Sequence, residues 1–249
     1  MGFDVSTFEY IISSGFGLLW YMMPVPRCDV SSQGNPHPTC HSLDAAGALG
    51  LLLHYLNSTM WEISLQQIFA IIPTTVSCYI DFGLDILLQT LRIMPEAAIE
   101  WPAVQKSFEE NNALIVAHHP RLTGAFASID GLNLVVQTSE DEDVENATYN
   151  GWLGKHFVSS VLVFSPKGLA LLSENVIMIT ELPLTGLIIA TNLNAPGSWS
   201  DSWVAQPIYE KLRTRTPPGF YLVADTAFLR GTNQIQGRIQ APIKAGQWI

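Results

Sequence analysis

Two short phrases place a carboxylate where an apolar run gives way to a turn or helix start. They are Ser128-Ile129-Asp130-Gly131 and Pro196-Gly197-Ser198-Trp199-Ser200-Asp201-Ser202. Carboxylates are hard oxygen donors suited to Mg2+ or Mn2+, and two of them joined by a fold would hold divalent metal and cut phosphodiester bonds. Asp130 lies inside the apolar run 126–136, where a charge is costly unless a cation or hydrogen bonds satisfy it. The plain alternative is an Asp-Gly turn between two strands. Asp201 stands at the first turn of an expected helix, where an aspartate ordinarily serves as a cap. Both roles can hold together, because a capped helix start fixes a ligand rigidly. Asp225 closes the apolar run 220–224 and reads as a ligand, a neighbouring group or a turn former. Glu210 is a poorer candidate: nine residues after Asp201 at about 100° per residue, it faces the other side of the helix.

These acids need strands and helices to position them. Asp44, or Ser42, caps a helix expected over 45–56, followed by a short helix over 64–70. Pro73 breaks the run, and a longer helix starts at Thr74 or Thr75 and reaches about Met94, before Pro95 and Pro102. The short helix, the turn 71–73 and the long helix have the proportions of a helix-turn-helix. The start of its second helix would offer Thr74, Thr75, Ser77 and Tyr79 to DNA, with Asp81 and Asp85 nearby and no basic residue before Arg92. An ordinary helical packing unit explains the same pattern. From about Asn112 the character changes. Apolar, β-branched runs at 113–116, 125–138, 156–164, 187–193 and 219–228 predict strands. The acidic stretch 140–145 reads as a solvated loop, and a helix is expected over 200–212, kinked at Pro207. Strands mixed with helices predict an α/β domain.

The chain has 249 residues, 48% of them hydrophobic, enough for a full core in one or two domains. Its net charge of −10 is unevenly divided. Residues 1–149 hold four basic residues against seventeen acids, whereas 150–249 hold eight against five and so carry the basic excess alongside Asp201. Such an acidic protein is a poor general binder of nucleic acid. Cys28, Cys40 and Cys78 form no disulfide framework and suit a reducing compartment. Cys28, His37, Cys40 and His41 match no standard zinc spacing. The apolar stretch 10–25 lacks a basic flank and contains Ser13, Ser14 and Gly15, so it is read as neither signal nor membrane anchor. The start at Met1-Gly2 fits the loose myristoylation pattern, and Asn57 and Asn146 begin sequons; without a secretory signal a soluble intracellular protein is the simpler expectation.

Longer stretches carry a family likeness. Ser42–Leu49, Leu56–Met60, Ser64–Phe69, Ile129-Asp130-Gly131, Glu145–Trp152, Asn194–Ser202, Tyr221–Phe228 and Lys244–Gln247 together resemble the Harbinger-type transposase-derived DDE endonucleases, most closely their fungal branch. The resemblance implies a ribonuclease H-like mixed-sheet domain over 112–249, preceded by a helical, helix-turn-helix-like region over 43–111 and an N-terminal segment 1–42. It implies that Asp130 and Asp201 are catalytic and, with Asp225, bind Mg2+ or Mn2+ for two-metal phosphodiester hydrolysis. It further implies DNA as substrate, a separate DNA-binding partner protein, a nuclear location, no membrane and descent from a transposable element. Two departures stand out. The sequence reaches Ile249 before the helix that in the family bears a glutamate, so a truncated copy with impaired activity is expected. An additional apolar stretch, 169–186, separates Lys167-Gly168 from the next strand and reads as translated intron; its Glu174 and Glu181 have no place in the family pattern. The competing class is a catalytically inactive remnant that binds DNA or a protein.

Overall fold

The computed structural model describes residues 4–25, 41–58, 60–167, 186–228, 235 and 237–241. Cys28, His37, Cys40, Glu174, Glu181 and nearly all of 169–186 lie outside the described residues. The chain divides into two compact units between Ala98 and Ile99. That is earlier than the 111/112 boundary read from the sequence, because the helix Gln105–His118 packs on the sheet of the second unit.

The first unit is helical: α1 (Val5–Ile11), a π-turn (Ile12–Phe16), α2 (Gly17–Met22), α3 (Ala45–Asn57), α4 (Glu62–Phe69) and α5 (Pro73–Ile93). Asp44 caps α3 as expected, its Oδ1 accepting from the Gly47 amide at 2.7 Å. Pro73 itself opens α5, where a missing N–H is harmless. Ala70 in the left-handed conformation ends α4, and α4 and α5 meet at a bend of 97°. Trp20, Leu49, Leu52, Leu65, Val76 and Ile86 fill the core. Gly83 is required there: a Cβ on it would lie 2.7 Å from a Leu52 methyl. Tyr79 is buried and its hydroxyl accepts from the Ser42 amide at 2.7 Å, which removes it from the residues that α5 could offer to DNA. Among the described residues no single helix is long and apolar enough to cross a membrane.

The second unit is α/β with a mixed sheet: α6 (Gln105–His118), β1 (Ala125–Val135), α7 (Glu142–Thr148), β2 (Tyr149–Asn150), β3 (Lys155–Ser165), β4 (Leu187–Pro196), α8 (Asp201–Val204), α9 (Gln206–Thr214), β5 (Tyr221–Val223) and β6 (Ile239–Gln240). The strands run β4-β3-β1-β5-β6, with the short β2 also antiparallel to β3, β3 antiparallel to β1 and β4, and β5 parallel to β1 and β6. Helix α6 covers one face, Phe108 meeting Phe126 with ring centroids 4.8 Å apart. Helices α8 and α9 cover the other with Val204, Ile208 and Leu212.

Four local expectations are corrected. The run 113–116 is helix, since Phe108, Asn111, Asn112 and Ile115 share one face, and the Asn112 side chain donates to the Leu122 and Ala125 carbonyls. Asp130-Gly131 is no turn: β1 continues through it, with Asp130 opposite Leu162 and Gly131 opposite Val161. The acidic stretch becomes α7, because the Asp141 carboxylate caps the amides of Asp143 and Val144. The helix expected over 200–212 is two, broken at Ala205, where ψ is 0° and Pro207 starts a new first turn.

Candidate active site

Gly131 lies between two of the candidate acids, Asp130 and Asp201. A Cβ built on it would lie 2.8 Å from Cγ and Oδ1 of Asp201, so the Asp201 carboxylate occupies the space that any other residue would fill. On the other side, the Gly131 amide donates to Oδ1 of Asp130 at 2.8 Å. Strand alternation sends the Asp130 Cβ to the face opposite that of Gly131, and its carboxylate folds back along the strand to reach that amide. Two carboxylates therefore bracket one glycine.

Local sequence explains both placements. Asp201 opens α8 after the turn 196–199, and Asn192 of β4, in register with Val161, donates to the Val204 carbonyl at 2.7 Å. Asn192, Val161 and Gly131 thus form a row across three strands under α8. Asp225 follows β5 in an exposed turn, where its Oδ1 accepts from the Ala227 amide at 2.8 Å. The Ala227 carbonyl in turn accepts from Ser202 Oγ at 2.5 Å, tying the Asp225 turn to the Asp201 helix.

The electrostatics follow from this packing. Burial pushes the Asp201 carboxyl above the ordinary carboxylate range, and Asp225, then Asp130, push it further in the same direction. Of the candidates read from the sequence, Asp225 and Asp130 therefore both act on Asp201. Among the described residues, no three His, Cys, Asp or Glu side chains already converge as a metal cage. Glu210 points away and pairs with Arg213. Asp201 is half-buried and Asp130 and Asp225 are exposed; a partly buried carboxylate raised by neighbouring acids is the kind of oxygen donor that a hard divalent cation such as Mg2+ or Mn2+ relieves.

Sequence reasoning overlooked Gly131 as the packing partner of Asp201, Asn192 as the anchor of α8 and Ser202 as the clasp. Only Gly131 left a signal, as a glycine inside an otherwise β-branched and apolar run. No protein-family model, curated protein or solved structure matches this chain.

Proposed function

We propose that the unit from Ile99 onward is a metal-dependent DNA endonuclease of the DDE type, with a ribonuclease H-like fold and a transposase origin. The observation that carries this reading is the pair of carboxylates bracketing Gly131, with Asp225 adding its charge to Asp201. The strand order and directions support the fold: a central β1 with an antiparallel hairpin on one side and parallel strands on the other.

When bound, paired divalent ions activate a water and stabilise the leaving oxygen of an in-line displacement. The chain's own contribution is positional. Asp130 and Asp201 would hold the cations, with Asp225 supplying adjacent charge from its clasped turn. Gly131 leaves the room that the Asp201 carboxylate occupies.

The first unit contributes a bend of 97° between α4 and α5, within the range of a helix-turn-helix. Yet of the four residues expected to face DNA at the start of α5 only Thr74 and Ser77 are exposed, with Ser77 bonded to Glu62 at 2.9 Å and no cation in α5 before Arg92. Nuclear DNA is therefore proposed as the substrate of the sheet unit, with a separate DNA-binding protein supplying attraction to phosphate that residues 1–149 lack.

The test is nicking of supercoiled plasmid by the full chain. Weak, metal-dependent nicking is expected with Mg2+ or Mn2+, as suits an impaired copy, with none in EDTA and none from Asp130→Ala. Cleavage that persists in EDTA, or at equal rate in the variant, would refute the reading.

A further inference from the structure

Beside Asp201 lies a feature that cation chemistry does not require. Trp152 is 94% exposed, Trp203 59% and Trp199 45%. Three tryptophans left in water near one loop pair form an unusual surface, because each ring forgoes a large burial gain. The backbone turns that carry Trp152 and Trp199 are pinned to each other. The Asn150 side chain donates to the Gly197 carbonyl at 2.8 Å and accepts from the amides of Trp152 and Leu153 at 3.1 Å. One asparagine therefore joins the turn that bears Trp152 to the turn that bears Trp199. The Ser198 amide and hydroxyl add two bonds to the Ala147 carbonyl. A Cβ on Gly197 would collide with the carbonyls of Phe157 and Thr148, so this turn is seated against the backbone. Trp199 and Trp203 stand edge to face, centroids 6.4 Å apart. Trp203 lies about 200° around α8 from Asp201, so it faces solvent while the carboxylate faces Gly131.

Charge indicates what the surface takes. Lys155 is exposed, stands opposite Asn150 in the β2–β3 ladder and has no acidic partner among the described residues. Aromatic faces beside an unmatched cation are the pattern that stacks bases and attracts phosphate in single-stranded nucleic acid.

We propose that Trp152, Trp199, Trp203 and Lys155 form a stacking platform for unpaired DNA nucleotides running past the Asp201 carboxylate. This deepens the nuclease reading and rests on it: the substrate is DNA with a frayed or single-stranded stretch at the site. A tryptophan has few side-chain torsions to lose on stacking, and every base has a face to offer, so binding is tolerant of sequence.

The test is fluorescence anisotropy of a labelled oligothymidylate of about ten nucleotides with the full chain in EDTA. Without metal, the result is independent of cleavage, and plasmid nicking with Mn2+ reads the nuclease separately. Trp152→Ala should weaken binding about tenfold, as for loss of one stacked base. Trp152→Phe should restore most of it, and Lys155→Gln should flatten the salt dependence. Both positions are on the surface, and circular dichroism checks the fold. Unchanged affinity in Trp152→Ala, or equal affinity for fully paired duplex, would overturn the platform. So would sedimentation showing that Trp152→Ala converts a self-associated chain to monomer, since the rings would then be a contact between copies.

Discussion

Gly131 and Asp201 set the terms at the scale of single residues. A methyl group at 131 has no room, because Asp201 already stands 2.8 Å from its position. Gly131→Ala should therefore cost about 1–3 kcal/mol, the range for forced overpacking, and should displace Asp201. Urea unfolding in EDTA measures the cost, and a neutral result would mean that Asp201 swings away freely. Asp201 itself carries a pH signature. Its folded-state pKa lies above the unfolded value near 3.8, so the native state holds a proton that the unfolded chain releases. Stability contributed by this group thus falls as pH rises from about 3.8 through the folded pKa, and it stays lower above it. Asp201→Asn should remove that penalty. In EDTA the variant should melt higher than the parent at neutral pH, with the advantage vanishing below pH 3.8. A parent that melts higher than the variant at neutral pH would show the opposite sign.

At the scale of elements, the site depends on the clasp between α8 and the turn after β5. Ser202→Ala removes the bond to the Ala227 carbonyl and should cost about 1 kcal/mol. It should also lower cation affinity if the Asp225 turn contributes, which calorimetric Mn2+ titration reads apart from stability. This clasp was illegible in the sequence, because a serine bonding a carbonyl 25 residues away leaves no periodic trace. Elements with a local cause were legible. Asp44 announces α3, Pro73 marks the α4–α5 break, and the apolar runs of β3 and β4 read directly as strands. Where local cause misled, tertiary context decided. Ala113 to Val116 has strand composition, yet the buried Phe108 and Asn111 behind it set a helical period. Asp130-Gly131 has turn composition, yet eight residues from Ser128 to Val135 pair with β3 and carry the strand through it.

The whole molecule has two separate cores, each with its own residues. Leu52, fully buried and seated against Gly83, belongs to the first. Leu52→Ala should cost about 2–5 kcal/mol there. Hydrogen exchange should quicken across α3 and α5 while β1 and β3 keep their protection; uniform loss would show that the units unfold as one. That two units exist was legible in the change of pattern near Asn112, but their boundary was not, since α6 resembles the helices before it and packs on the strands after it. The proposed nuclease activity requires that Asp130 and Asp201 share a divalent cation. Electron paramagnetic resonance of Mn2+ titrated into the full chain measures it most directly. The account predicts a bound, motionally restricted Mn2+ signal that disappears in Asp130→Ala and in Asp201→Asn, and free-ion spectra from the parent, or equal binding by the variants, would contradict it.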